Sequence, residues 1–155
     1  LLEEKGVAVV FGSAFGLTRL LLPTLLASEG GAAVLNISSA MAHVVESGFV
    51  SYGTAKAALS HMSRLMACEL APRVRVNALA VGATQTDALA LITANPEWRQ
   101  SMLDKTPMAR FGEVEDIAAA ALYLLSEAGS WVTGKVFEID GGADASTFPL
   151  KMKAF

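Results

Sequence analysis

Residues 51–81 read SYGTAKAALSHMSRLMACELAPRVRVNALAV, a long helical pattern followed at once by a short apolar run. Apolar residues recur at helical spacing over residues 51–70, which predicts one helix that ends where Pro72 begins the next segment. Residues 74–81 form an apolar run of strand length. A strand that directly follows a long helix is typical of an α/β fold.

The flanking sequence extends the same alternation. Residues 32–37 form a mostly apolar run without alternation, as expected of a parallel strand covered on both faces, so we predict that this strand is central. Helical segments are predicted over residues 87–103 and 112–126, and a third strand over residues 136–140. The sequence therefore predicts one partial α/β domain with a Rossmann-like, doubly wound parallel sheet, its amino-terminal strands missing or truncated, and residues 143–155 as a mobile tail or a partner-binding arm.

Composition excludes several classes of function. The 155 residues carry a formal net charge of -3 and no basic run, which argues against a nucleic-acid partner or binding to a membrane surface. The most apolar stretch, residues 20–27, is much shorter than the roughly 20 residues that span a membrane. No secretory signal is recognisable, so we expect a cytoplasmic protein with a small-molecule ligand.

Tyr52 and Lys56 are the candidate catalytic pair. They lie four positions apart at the start of the predicted helix, which places both side chains on one face. A phenol is a weak acid-base catalyst at neutral pH, and a neighbouring ammonium group favours its ionised form. Such pairs also occur on many solvated helix faces, and the spacing alone does not show catalysis.

The position of Ser39 favours the catalytic interpretation of Tyr52 and Lys56 over that of a solvated helix face. It follows the apolar strand directly, at the edge of the sheet where ligands bind in open parallel folds. We therefore expect Ser39 to orient a carbonyl or alcohol oxygen and Tyr52 to exchange its proton. Lys56 would tune Tyr52 and bind the ribose of a cofactor.

Four stretches together carry a family resemblance: residues 36–39 (NISS), 51–59 (SYGTAKAAL), 75–80 (RVNALA) and 139–142 (IDGG). In order and spacing they resemble the landmarks of the short-chain dehydrogenase/reductase family, over roughly residues 17–142. The resemblance implies an oxidoreductase that interconverts a secondary alcohol and a ketone by hydride transfer with NAD or NADP. It also implies a small-molecule alcohol or ketone substrate and a homo-oligomer, either a dimer or a tetramer.

The resemblance further implies which residues contact the cofactor. The loop after the second strand would lie over the nicotinamide, with Gly82, Thr84 and Thr86 as binding residues. Tyr52 and Lys56 would contact the cofactor as well. A complete member of the family also carries a glycine-rich turn for the pyrophosphate, which lies upstream of the landmarks quoted above.

The first part of the chain allows two interpretations. Residues 7–18 could form the strand, turn and helix start of a phosphate loop, but Thr18 stands where a third glycine is needed. We favour a single helix over residues 7–28, because the sequence LTRLLLP resembles a later family segment and Pro23 would be awkward deep in a first cofactor helix. This alignment places Val10 where the family has a catalytic asparagine, and the fourth member of its tetrad is then absent.

The histidines, the cysteine and the tryptophans are interpreted as structural residues without a catalytic or binding role. His43 and His61 lack a second ligand at a diagnostic spacing, so no metal site is predicted. Cys68 is the only cysteine, which excludes an internal disulfide and favours a buried, inert thiol. Trp98 and Trp131 are predicted to be packing groups near a pocket rim, because no basic patch accompanies them.

A rival function comes from another class of protein. The chain could be a non-catalytic fragment or subunit, in which the strands and helices of the family serve folding or assembly after cofactor binding has been lost. Titration with a nicotinamide cofactor discriminates between the two hypotheses.

Overall fold

The structure is a computed structural model that describes the backbone of residues 2–150 and the side chains of residues 12–150. The three apolar runs form one parallel sheet in the order β1-β2-β3. The strands are β1 (Ala32–Ser39), β2 (Val74–Val81) and β3 (Val136–Ile139), and the helices are α1 (Leu2–Ala27), α2 (Val50–Leu70), α3 (Asp87–Thr93), α4 (Pro96–Asp104) and α5 (Val114–Leu125). The predicted α/β class and parallel pairing are confirmed.

Helices cover both faces of the sheet. On one face, Leu59 and Met66 of α2 form the buried core with Val74 and Val76 of β2. Side chains alternate along a strand, so Arg75 points to the opposite face, where it donates a hydrogen bond to the backbone oxygen of Leu124 in α5 at 2.6 Å. The sheet is therefore doubly wound, as predicted.

The position of β1 in the sheet differs from the prediction. Among residues 2–150, β2 is the central strand and β1 pairs only along the edge that faces β2. Ile37 of β1 is half exposed, whereas its register partner Leu79 is fully buried. An apolar run reports on how a strand's faces are covered and carries no information about its edges, which is why the prediction of a central β1 was wrong.

The first part of the chain is one helix, α1, of 26 residues (Leu2–Ala27). The single-helix interpretation of residues 7–28 is thereby confirmed, and Pro23 lies close to the carboxyl end of the helix. The hydroxyl of Thr18 donates to the backbone oxygen of Ala14 at 2.9 Å, inside the helix. The side chain of Val10 lies outside the described side chains, so the expected loss of the tetrad asparagine stays a prediction. No helix within residues 2–150 combines the length and the apolar character that crossing a membrane requires.

Two side chains that were predicted to be packed are exposed. Cys68 lies on the surface, because it follows Ala67, which faces the core, and one residue turns a helix by about 100°. Trp131 is 100% exposed in the connection between α5 and β3. Both predictions relied on residue type, which does not identify the buried face.

Candidate active site

The carboxyl ends of β1 and β2 lie side by side and open into a cavity of about 270 Å³. Ser39, Tyr52 and Gly82 all line this cavity. Parallel pairing explains the arrangement, because the carboxyl ends of neighbouring parallel strands meet at one edge of the sheet. Three of the six predicted site residues are thus brought to one place.

Ser39 is the last residue of β1 and is buried. Its Oγ accepts a hydrogen bond from the backbone N–H of Met41 at 3.2 Å, which begins the 3₁₀ turn Ala40–Ala42. A hydroxyl has one donor hydrogen and two acceptor lone pairs. The contact with Met41 therefore leaves the hydroxyl hydrogen able to donate to a substrate oxygen.

Tyr52 and Lys56 lie in the first two turns of α2. Tyr52 is 41% exposed, and the Nζ atom of Lys56 is 5.8 Å from the centroid of its ring. The same Nζ donates to the backbone oxygen of Ile37 in β1 at 2.9 Å. Burial lowers the pKa of Lys56. Lys56 is not part of the cavity lining, so it can act on the cavity only through a neighbour or through a bound group.

Buried polar contacts hold α2 against β1. The amide of Asn36 donates to the hydroxyl of Ser63 at 2.9 Å, and Ser38 donates to the backbone oxygen of Lys56 at 2.9 Å. The hydroxyls of Ser38 and Ser60 are 2.7 Å apart. Because hydrogen bonds are directional, these contacts fix the distance and rotation of α2 relative to β1. They were not among the predicted site residues, although two polar side chains two positions apart in an apolar strand were a readable signal.

Two glycines allow backbones to approach closely beside the cavity. A Cβ atom on Gly53, next to Tyr52, would lie 2.9 Å from the backbone oxygen of Met41. A Cβ atom on Gly82 would lie 2.5 Å from the Cα atom of Asp140, and its N–H donates to the oxygen of Ile139 at 3.0 Å. Gly82 therefore has a packing role in addition to its place in the cavity wall.

Thr84 and Thr86 lie in the same loop but do not line the cavity. The hydroxyl of Thr84 donates to the oxygen of Gly82 at 3.3 Å, and its backbone bridges to Gly112. Thr86 caps the amino terminus of α3, where its hydroxyl accepts the N–H of Leu89 at 3.4 Å. In this structure the two threonines shape the loop, and their predicted cofactor contacts remain a proposal.

His43 has charged neighbours that its sequence context did not reveal. Strand β3 and the residue that follows it bring Glu138 and Asp140 to His43, so that one possible ligand atom from each of the three residues lies within 4.8 Å of the others. The Nε2 atom of His43 is 4.0 Å from the Oε1 atom of Glu138, and Asp140 accepts the N–H of Gly142 at 2.9 Å. His43 and Glu138 are exposed, and exposed groups of this kind are common on proteins without a bound metal. The geometry alone does not make a metal site.

Comparison with known proteins gives the family. A family model described as enoyl-(acyl carrier protein) reductase matches residues 4–144. An uncharacterized oxidoreductase of Mycobacterium tuberculosis is 52% identical over 138 residues, which cover 89% of this chain and 51% of the relative. A 7α-hydroxysteroid dehydrogenase of Escherichia coli is 43% identical over 131 residues, covering 84% and 51%.

The solved structures agree with the sequence relatives. A short-chain type dehydrogenase/reductase from Mycobacterium ulcerans superimposes with a TM-score of 0.85 at 35% identity, over 91% of this chain and 51% of that one. A 7α-hydroxysteroid dehydrogenase complexed with NADH and 7-oxo glycochenodeoxycholic acid gives 0.80 at 41% identity, over 87% and 52%. The chain spans about half the length of the curated relatives it matches. These matches and the shared fold place the chain in the short-chain dehydrogenase/reductase family.

Proposed function

We propose that the chain carries the proton-transfer site of a nicotinamide-dependent oxidoreductase that interconverts a secondary alcohol and a ketone. The main observation in support is that Ser39 and Tyr52 line one cavity, with Lys56 one helical turn beyond Tyr52. Two hydroxyl-bearing residues from different elements thus line one space that a carbonyl oxygen can enter. Membership of the family supports the same reaction class.

The residues present fit the nicotinamide half of NAD or NADP. The backbone around Gly82 lines the cavity, and Lys56 and Tyr52 offer an ammonium and a hydroxyl to a ribose from the adjacent helix. Thr84 and Thr86 lie just beyond, in the same loop. The cofactor, when bound, supplies or accepts the hydride, and the protein supplies orientation and a route for the proton.

The roles of the side chains follow from their positions. In the reductive direction, the hydroxyl of Ser39 donates a hydrogen bond to the carbonyl oxygen of the substrate, and the hydroxyl of Tyr52 gives that oxygen its proton. The Lys56 ammonium favours the phenolate that is left, because opposite charges attract. Burial lowers the pKa of Lys56 and opposes its charge, while the backbone oxygen of Ile37 accepts a hydrogen bond from the ammonium group and holds the side chain in place.

Substitution of Tyr52 by Phe tests the proposal. In the full-length protein, Tyr52→Phe should keep the fold and most of the cofactor affinity, because the hydroxyl is one of several proposed cofactor contacts. It should lower turnover by roughly 10²–10⁴-fold, since the hydroxyl is the proposed proton donor. The chain offers a matched control in Tyr123 of α5, its other tyrosine, which is 43% exposed and lies outside the cavity. Turnover by Tyr52→Phe that matches Tyr123→Phe would refute the assignment.

Cofactor binding by the full-length protein separates the proposed enzyme, which binds NAD or NADP, from the rival folding or assembly module, which does not. For the 155 residues alone the expectation is different. The residues that could have formed a phosphate loop, 7–18, belong to α1. Tyr52, Lys56 and the loop at Gly82 can then reach only the nicotinamide half, because the pyrophosphate needs backbone N–H groups at a helix start. We expect calorimetric titration of these 155 residues with NAD and with NADP to give no dissociation constant in the micromolar range. Micromolar binding would contradict this expectation.

We also propose that a second copy of the protein packs against α1 and α2. Leu17, Leu20 and Leu65 are 59%, 79% and 53% exposed on these helices, and exposed apolar patches commonly mark interfaces. Light scattering should show a discrete dimer or tetramer that Leu20→Glu dissociates. A monomer at working concentration would contradict the proposal, and a polydisperse aggregate would not support it.

A further inference from the structure

The cavity lined by Ser39 and Tyr52 is surrounded by uncharged residues throughout its described lining. No Asp, Glu, Lys, Arg or His occurs among its described lining residues. Large apolar side chains form much of the rest of the lining: Met41, Val44, Phe49, Leu89, Ile92 and Met102. A charged group of a substrate placed here would lose its hydration without gaining a counter-ion, which is strongly unfavourable.

One side of this cavity is built by the segment after β3. Residues 143–155 were predicted to be a mobile tail or a partner-binding arm. Within the described part of that segment, Ala143 and residues 145–148 instead line the cavity. We call residues 143–148 the tail wall. The tail is therefore placed where its side chains limit the space beside Tyr52.

Specific contacts hold the tail wall in this position. The ring of Phe148 packs edge-on against the ring of Phe49, with centroids 4.9 Å apart and planes at 77°. Lys105, directly after α4, donates from Nζ to the backbone oxygen of Phe148 at 3.2 Å, and the N–H of Phe148 donates to the hydroxyl of Ser146 at 3.2 Å. The tail wall is thus attached both to the start of α2 and to the end of α4.

The aromatic contact also reaches the proposed proton donor. The ring of Phe49 lies 6.2 Å from the ring of Tyr52 at an interplanar angle of 75°, another edge-to-face pair. Phe148, Phe49 and Tyr52 therefore form one continuous aromatic row along the cavity. Because Phe148 and Tyr52 line the same cavity, a change in the size of the side chain at position 148 alters the room in that cavity without changing Tyr52.

We propose that Phe148, seated on Phe49, is a specificity-determining residue, and that the tail wall restricts the reaction to uncharged, mostly apolar ketones and secondary alcohols of limited width. This inference rests on the proposed function, because it takes the cavity as the place where the ketone binds. Phe148 limits the width of the substrate, and the lack of charged lining residues favours substrates that carry no charge.

Three ketones test the proposal: cyclohexanone, the fused two-ring ketone decalone, and a cyclohexanone that carries a carboxylate. In the full-length protein, kcat/KM for cyclohexanone should exceed that for the carboxylate by roughly a hundredfold or more. Phe148→Ala should raise the ratio of kcat/KM for decalone to that for cyclohexanone by about tenfold. Phe15→Ala on α1, outside the cavity, is the control and should leave both ratios unchanged.

A binding measurement that does not depend on turnover separates the proposed function from the proposed role of Phe148. Saturation-transfer NMR measures binding of decalone to the same variants, and circular dichroism checks their fold. Phe148→Leu serves as a second, milder variant should Phe148→Ala fail to fold, and it should shift the ratio in the same direction. Altered decalone binding with no turnover of any ketone would refute the proposed function but would support the role of the tail wall in selecting the ligand. Normal turnover with unchanged ratios and binding in both Phe148 variants would overturn the tail wall, and equal use of the carboxylate would overturn the substrate class.

Discussion

Strands β1 and β2 have eight residues each and pair in register from end to end, yet they bury different chemistry. In β2, Val74, Val76 and Leu79 have no exposed surface, and the strand is the centre of the hydrophobic core. In β1, the side chains turned toward α2 near its carboxyl end are Asn36 and Ser38. Two adjacent strands in one sheet therefore have different roles: β2 stabilises the fold, and β1 positions α2.

The difference follows from the forces involved. Apolar burial is roughly proportional to area and has no preferred direction, so it compacts the domain without fixing the geometry of a site. Hydrogen bonds lose their energy when distance or angle changes. The hydrogen bond between the hydroxyls of Ser38 and Ser60, and the one that Ser38 donates to the backbone oxygen of Lys56, therefore set where α2 starts and where Tyr52 lies relative to the end of β1.

The largest effect on stability is expected from substitution of Leu79, and its partner across the two strands, Ile37, is the comparison. Leu79→Ala should lower the free energy of unfolding by about 2–5 kcal/mol, because it removes fully buried methyl groups and leaves a cavity. Ile37→Ala should cost well under half as much, since Ile37 is 49% exposed. Urea denaturation of both variants measures the two values.

Equal losses from the two substitutions would contradict the comparison between the strands. They would show that the outer face of Ile37 is covered in solution by another part of the protein or by a second copy. The same pair of variants therefore reports on whether the free edge and face of β1 are exposed.

Much of the fold could be predicted from the sequence, because the signals were local. Periodicity gave β2 with its observed bounds, Val74–Val81, and gave α2 within one residue of Val50–Leu70. The edge position of β1 could not be predicted, since pairing along a strand edge involves residues distant in sequence. Exposure of Cys68 and Trp131 was missed for a related reason, because residue type does not report which face of an element is covered.

The site was predictable only in part. The spacing of Ser39, Tyr52 and Lys56 indicated a shared location, and the structure brings the first two to one cavity. The supporting contact between Asn36 and Ser63 spans 27 positions, and nothing local to either residue names its partner. The folding of the tail onto the cavity was likewise hidden, because its contacts with α2 and α4 join parts of the chain that are far apart in sequence.

A smaller effect is expected from neighbouring serines at the end of β1. Ser38→Ala removes contacts to Ser60 and to the oxygen of Lys56 and should destabilise the protein by about 1–3 kcal/mol. Ser39→Ala should cost less stability and should lower turnover, though less completely than Tyr52→Phe. Thermal melts combined with turnover assays measure both quantities. If the two serine variants behaved alike, the division between a positioning residue and a cavity residue would be wrong.

Gly53→Ala should have a still smaller effect on stability but a visible effect on turnover. Alanine improves helix propensity by about 1 kcal/mol, which offsets the close contact of its Cβ with the oxygen of Met41. Relief of that contact shifts the start of α2, and misplacing Tyr52 by a fraction of an ångström should lower kcat by up to about tenfold. The control is Gly30→Ala, where an added Cβ meets nothing within 4 Å. An unchanged kcat in Gly53→Ala would show that the close approach of α2 to Met41 is not needed.

The smallest effect is expected where polar groups meet in solvent, at Arg110 and Asp116. Hydrogen bonding to Arg110 at 2.6 Å, together with the backbone N–H of Glu113 at 2.8 Å, lowers the pKa of Asp116 from its ordinary 3.8 to about 2. A carboxyl whose pKa falls on folding stabilises the protein above its unfolded-state pKa and loses that contribution as pH drops through its folded value. The melting temperature should therefore decline slightly more between about pH 5 and pH 2 in the wild type than in Asp116→Asn. Because this pair is exposed and screened by water, its contribution should stay below that of the buried serines of β1, and added salt should reduce it further. A pH dependence in Asp116→Asn as steep as in the wild type would assign the acid sensitivity to other carboxyl groups.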